Sequence, residues 1–332
     1  MTRCAVLGAG SWGTALADLL ARQGHDVALW AYEAEVVEQI RSERINGPFL
    51  PGCPLHQAIR PLTDSCEAVD HADLVVSAPP SHAARVVLGQ IQGAVDRGAL
   101  LVSATKGLEP DTLRRMSQVA GELLPEMPFI ALSGPSFARE VYERQPTAVV
   151  AASRVPGASQ AVQRIFSNRG FRVYANEDVI GTELAGALKN VIAIAAGILD
   201  GLGLGHNPRA ALVTRGLAEI TRLGLAQGAA PSTFAGLAGM GDLVLTAYGG
   251  LSRNRTLGVA IGKGSDLETY RTGTRSVAEG VNTTRAALAL AAPDGVELPI
   301  AEKVAEVLFE RKDARVAVKE LMERTLKTEQ WG

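Results

Sequence analysis

The sequence predicts an α/β protein, with an N-terminal doubly wound parallel sheet followed by an all-α C-terminal domain. Three observations carry that prediction. Short apolar, β-branched runs alternate with helical patterns through the first half, as in strands covered on both faces. A glycine-rich turn joins the first strand to the first helix. From Asp178 onward β-branched runs vanish, and Ala, Leu and Gly recur at helical spacing.

Residues 4–7 and 26–31 read as strands around a helix over 10–23. Further strands fall at 74–78, 99–104, 129–132, 147–152 and 171–174. Their alternation with helices implies right-handed crossovers and ligand sites at the strand C-termini. In the second half, 182–199 and 209–227 read as long helices, and 300–327 supplies two more. A boundary near 176–181 divides residues 1–178 from 179–332.

A chain of 332 residues suits two domains, and 47% hydrophobic with 20% charged residues is ordinary for a globular enzyme. The net charge of −2 gives no reason to expect nucleic acid or an anionic membrane as partner. An anionic substrate therefore requires a few well-placed Lys or Arg side chains. Cys4, Cys53 and Cys66 have no metal-ligand spacing, and an odd, sparse count suits unpaired thiols in a reducing compartment. No metal is expected. Met1 leads through Thr2 and Arg3 straight into an apolar strand, without a signal-peptide pattern. The most apolar stretch, 191–199, is far shorter than the ~20 residues of a membrane span. The expectation is a soluble, cytoplasmic protein.

The first strand runs into Gly8-Ala9-Gly10-Ser11-Trp12-Gly13, the G-x-G-x-x-G fingerprint of a Rossmann dinucleotide-binding domain in its strand-to-helix context. Gly8 permits the tight turn, Gly10 admits a pyrophosphate, and Gly13 allows close helix–strand packing. Ser11 and Trp12 line the loop. The second strand leads to Glu33, where a carboxylate accepts hydrogen bonds from a ribose 2′-OH and repels a 2′-phosphate. No Arg or Lys lies between Trp30 and Gln39. The cofactor expected is NAD(P)H with a lean to NADH.

Four further segments carry reactive groups. Ser103-Ala104-Thr105-Lys106-Gly107 and Ser133-Gly134-Pro135-Ser136 each end a strand. Lys189-Asn190 interrupts an otherwise apolar helix. Gly241-Asp242-Leu243 is followed by Thr246 and Ser252-Arg253-Asn254-Arg255. The stretches GAGSWGTALA, SATKGLE, SGPSFARE, ELAGALKNVIAIAAGILDGLGLG, LAGMGDLVLT, SRNR and VAEGVNT together resemble the NAD(P)-dependent glycerol-3-phosphate dehydrogenase family, bacterial type. LPI at Leu298 extends the likeness.

The resemblance implies reversible hydride transfer between NAD(P)H and dihydroxyacetone phosphate, giving sn-glycerol 3-phosphate for phospholipid biosynthesis. Lys189 then matches the proton donor and acceptor, Asp242 an acid that orients it, and Lys106 a group near nicotinamide and substrate. An ammonium on an apolar helix is partly desolvated, which eases proton release. Arg253 and Asn254, with Ser252 beside them, match a phosphate clamp, since a guanidinium binds phosphate bidentately. Arg253 also matches a cofactor contact. Gly134, Ser136 and Thr246 match substrate contacts, and Ala138, Val277 and Glu279 match cofactor contacts. Arg255 is open between ligand and structural ion pair. None of the five histidines matches a catalytic position, and His206 reads as structural. A homodimer is expected. The competing readings are a related Rossmann dehydrogenase of a β-hydroxy acid and a non-catalytic dinucleotide-binding sensor. A sensor has no need of Lys106, Lys189, Asp242 and Arg253 together.

Overall fold

The computed structural model describes residues 1–273 and 278–325. The chain forms two compact units, Met1–Glu183 and Leu184–Gly332. The first holds ten strands: β1 (Arg3–Leu7), β2 (Asp26–Trp30), β3 (Ile45–Asn46), β4 (Leu50–Pro54), β5 (Ile59–Leu62), β6 (Leu74–Ser77), β7 (Leu100–Ser103), β8 (Phe129–Ser133), β9 (Thr147–Ala152) and β10 (Phe171–Asn176). Eight of them form one sheet in the order β10-β9-β8-β7-β6-β1-β2-β5, while β3 and β4 make a separate antiparallel ribbon.

The sheet is parallel from β5 to β8. Between β8 and β9 it turns antiparallel, and β10 then runs parallel to β9. The doubly wound parallel sheet predicted from the sequence is present, with this one antiparallel step added. An apolar run has the same pattern in either direction, so its orientation is not written in it.

Because strand side chains alternate, β1 feeds two cores. Cys4 and Val6 pack with Leu16, Leu20, Leu29 and Val76 on one face. Ala5 and Leu7 pack with Val75, Leu88, Ile91 and Leu101 on the other. Burial of each such Leu or Ile contributes about 1.5–3 kcal/mol, which fixes the glycine turn that follows Leu7. The outer strands differ from the inner ones. β5 carries Arg60 and Pro61. β10 turns Arg172 and Tyr174 outward, with the guanidinium 5.2 Å from the ring centroid.

Glu183 closes the first unit. It accepts hydrogen bonds from Ser117 N and Oγ at 2.6 Å each and from Arg115 Nη1 at 2.9 Å. Burial pushes its carboxyl above the usual range, and the Ser117 and Arg115 contacts oppose that shift.

Every described element after β10 is helical. The first, Val179–Gly201, is a 23-residue helix. By length and composition it could cross a membrane, which the short apolar run at 191–199 does not suggest, yet 94% of its most apolar window is buried in the protein. That burial is what an apolar-all-round helix needs in a globular core. Helix Arg253–Gly262 lies against it in backbone contact. A Cβ on Gly197 would strike the Arg255 carbonyl, and one on Gly258 would strike the Ile194 carbonyl. Gly201 and Gly262 repeat the contact one turn further on.

Helix His206–Ala226 buries Glu219, whose two oxygens accept the Ile300 and Ala301 N–H groups at 2.9 Å each, at the start of helix Pro299–Phe309. Burial pushes this carboxyl from 4.5 up to about 7, against those hydrogen bonds. Between the two values the folded chain holds a proton that the unfolded chain has released. Stability therefore falls as pH rises from 4.5 to about 7 and is flat above, by up to about 3 kcal/mol from this group. Urea unfolding of the native chain and of Glu219→Gln at pH 5 and pH 8 is expected to show a smaller pH response in the variant. Equal responses would mean that Glu219 folds ionised.

Candidate active site

In the first unit the glycine turn is shaped by close approach. Gly8 has φ +108°, and a Cβ there would stand 3.0 Å from the Ala78 carbonyl carbon and Pro79 nitrogen. A Cβ on Gly13 would collide with the Gly8 carbonyl oxygen. Gly10 is different, since a Cβ there would meet no atom within 4 Å. Its bareness serves no internal packing and leaves a cradle where a ligand can reach the backbone. Helix Ser11–Arg22 has no side-chain cap and no acid in its first turn. Its N–H groups and positive dipole end thus remain for an anion. These features fit a dinucleotide pyrophosphate.

The side chains of the loop have structural work as well. Ser11 Oγ donates to the Phe49 carbonyl at 2.6 Å. Trp12 and Ala138 pack on a small core of Ala15, Leu50 and Cys53, and Trp12 Nε1 is buried without a hydrogen-bond partner. Asn46, which the sequence did not single out, donates to the Ala9 carbonyl and to Thr14 Oγ1 at 2.8 Å each. Glu33 sits at the N-cap of helix Ala34–Glu43, but its side chain does not cap that helix. Arg41, the nearest basic residue in sequence, pairs with Glu38 and reaches the Pro61 carbonyl.

At the end of β7, Lys106 Nζ donates to the Gly134 carbonyl at 2.8 Å and approaches Ser136 Oγ at 3.3 Å. Ser136 Oγ donates to the same carbonyl at 2.9 Å. Gly134 has φ +133°, and a Cβ there would stand 2.9 Å from Val149 Cα, so the turn after β8 rests directly on β9. Three predicted site residues from two separate segments thus meet at one point. Ala138 opens the short helix that follows.

In the second unit Lys189 is 5% exposed and Asp242 1%. Lys189 Nζ donates to Thr246 Oγ1 at 2.6 Å and lies 3.1 Å from Asp242 Oδ1. The Thr246 hydroxyl donates to the Asp242 carbonyl at 2.6 Å. Asp242 makes no helix cap, since Gly241 holds that position, and its carboxylate is directed to the ammonium. A π-helical turn, Leu237–Gly241, precedes it. Such a widened turn is a device often found beside functional residues. Ion pairing with Asp242 offsets the cost of burying the Lys189 charge.

Asn190 is the residue the sequence undervalued. Its Oδ1 accepts from Asn254 Nδ2 at 2.9 Å, and Asn254 Oδ1 accepts from Gly280 N at 2.9 Å. Asn254 thus has one N–H left for a ligand at most. Ser252 Oγ accepts from Arg255 N at 3.2 Å and caps the helix that Arg253 begins. Arg253 itself is solvent-exposed along part of its length. Crowding by protein lowers its pKa, while Glu279 and Tyr270 hold it up. The guanidinium stays charged at any ordinary pH. Glu279 stands at the start of helix Gly280–Ala291. Val277 lies outside the described residues. His206 opens helix His206–Ala226 and is exposed.

Two family profiles match the chain. Residues 3–158 match the N-terminal domain of NAD-dependent glycerol-3-phosphate dehydrogenase, and residues 178–319 match its C-terminal domain. A glycerol-3-phosphate dehydrogenase [NAD(P)+] of Geobacter sulfurreducens is 58% identical over 332 residues, covering 99% of both chains. A crystal structure of glycerol-3-phosphate dehydrogenase from Coxiella burnetii superimposes with a TM-score of 0.94 at 40% identity, covering 97% of this chain and 99% of that one. A ketopantoate reductase structure from Ralstonia eutropha shares the fold alone, with a TM-score of 0.61 at 19% identity, covering 96% of this chain and 99% of that one.

Proposed function

The chain belongs to the NAD-dependent glycerol-3-phosphate dehydrogenase family, and we propose that its Lys189 ammonium is the proton donor in the reaction. The enzyme transfers hydride reversibly between NAD(P)H and dihydroxyacetone phosphate, giving sn-glycerol 3-phosphate. Bound NAD(P)H supplies the hydride. Lys189 then has two tasks: to stabilise the charge developing on the carbonyl oxygen, and to give that oxygen its proton. In the oxidative direction the neutral amine takes the proton back.

One observation carries the assignment. The ammonium is buried between a carboxylate and a hydroxyl, in the second unit's most apolar helix. Asp242 favours its charged form, and Thr246 fixes its direction through the bond to the Asp242 carbonyl. Arg253 and Asn254 occupy the first turn of helix Arg253–Gly262, where a guanidinium fork adds to free N–H groups in holding phosphate. Lys106, tied to Gly134 and Ser136, polarises the carbonyl and orders the substrate. Gly8, Gly10 and Gly13, with Ser11, Trp12 and Ala138, hold the dinucleotide.

Initial rates with dihydroxyacetone phosphate and with dihydroxyacetone, each with NADH and NADPH, test the whole assignment. Rapid turnover of the phosphorylated ketone only is expected. Equal turnover of both ketones would remove the phosphate clamp.

The lean to NADH rests on Glu33. Its carboxylate accepts from ribose hydroxyls and repels a 2′-phosphate, and Arg41 is already engaged by Glu38. Glu33→Ala is expected to weaken NADH binding about tenfold relative to NADPH in fluorescence titrations. An unchanged ratio would make Glu33 a surface residue. Three unpaired cysteines suit a cytoplasmic location. Apolar residues exposed on the second unit, such as Leu225, Val244 and Leu251, suit a homodimer.

A further inference from the structure

Arg255, which follows the Arg253–Asn254 pair, is firmly held. Its Nε and Nη2 donate to Asp200 Oδ2 at 2.8 and 2.7 Å. The other carboxylate oxygen pairs with Arg209, whose guanidinium lies 5.3 Å from the Tyr248 ring centroid. The Asp200 side chain is 9% exposed.

Asp200 and its partners link the three helices that carry Lys189, Asp242 and Arg253. Asp200 sits in the last turn of helix Val179–Gly201, which bears Lys189 and Asn190. Arg255 is in the first turn of the helix that bears Arg253 and Asn254. Arg209, through Tyr248, touches the end of helix Asp242–Tyr248, which bears Asp242 and Thr246.

The seam between the Lys189 helix and the Arg253 helix is lined by Gly197, Gly201, Gly258 and Gly262. Glycines let two backbones touch, but they offer no knobs to stop one helix from sliding along the other. A directional fork onto a largely covered carboxylate supplies the missing stop. The hydrogen bond from the Asn254 amide to the Asn190 amide is a second one.

We propose that Asp200, acting through Arg255, is a positioning residue that sets where the phosphate clamp stands relative to the Lys189 ammonium. The proposal rests on the assignment of Arg253 as that clamp. It predicts a specific defect. With the fork removed, Lys189, Thr246 and Asp242 keep their mutual contacts, while Arg253 and Asn254 lose their register.

Arg255→Gln is the cleaner variant, since Asp200 keeps Arg209 as counter-charge, and Asp200→Asn is the second. Both are assayed with dihydroxyacetone phosphate and with unphosphorylated dihydroxyacetone, alongside their melting temperatures. The expected result is a KM for the phosphorylated ketone raised about tenfold to a hundredfold. The kcat/KM for dihydroxyacetone stays at the native value. Arg255→Lys recovers part of the loss, and Arg255→Gln adds nothing in an Arg253→Ala background. Equal losses on both ketones would reveal a merely structural role and overturn the proposal, as would native kinetics. If Arg253→Ala raises the KM and Arg255→Gln does not, only the positioning role falls. If Arg253→Ala itself leaves the KM unchanged, the clamp assignment falls first and takes this proposal with it.

Discussion

Lys189→Ala is expected to lower kcat for ketone reduction about 10⁴-fold while leaving NAD(P)H affinity unchanged. A positioned general acid is worth about 10²–10⁴-fold, and stabilisation of the developing oxyanion by a fixed charge adds about 10²–10³-fold. The two share one ammonium and are not additive, which places the loss near the upper end of the first range. The same change strands the Asp242 carboxylate, 1% exposed, without its counter-charge. Unpairing a buried ion in this way costs about 3–5 kcal/mol of stability. Lys189→Ala with Asp242→Asn separates the two effects. The double variant is expected to melt near the native temperature and to remain inactive. Turnover within tenfold of native in either protein would remove Lys189 from the chemistry.

Arg253→Ala is expected to raise the KM for dihydroxyacetone phosphate about a hundredfold, with a smaller fall in kcat. Charge-assisted hydrogen bonds contribute about 1.5–3 kcal/mol each, and a forked pair to phosphate lies at the upper end. Most of that binding is present in ground state and transition state alike, so KM carries most of the change. Arg253→Lys is expected to recover only part of it, since an ammonium is a point charge without the fork. Steady-state kinetics on both ketones check this, and a native KM would exclude Arg253 from the phosphate site.

The readable parts of this fold were those with a local signature. The glycine turn, β1, β2, β6 to β9 and the two long helices each announce themselves through apolar periodicity and punctuation. β5 and the β3–β4 ribbon do not, because Pro51, Gly52, Pro54 and Pro61 make those segments look like loops. In the site, the Lys106–Gly134–Ser136 and Lys189–Asp242–Thr246 groupings come from residues whose chemistry stands out in their own segments. Asn190, visible only as a polar interruption of an apolar helix, and Asp200 give no sign of what they bind. Asn254 and Arg255, which they bind, lie 64 and 55 residues away, and an Asn or Asp on a helix has no local feature that reveals such a pairing. Arg255, left open between ligand and ion pair, forms an ion pair with Asp200.

The two outer strands of the sheet bear on how copies of the chain meet at high concentration. β5 offers Pro61, which has no N–H to donate, next to the charge of Arg60. β10 offers Arg172 laid over Tyr174. A border with missing donors and fixed charges is a poor template for another strand. Growth of the sheet from molecule to molecule is thereby blocked at both ends, and cross-β aggregation has no ready starting line.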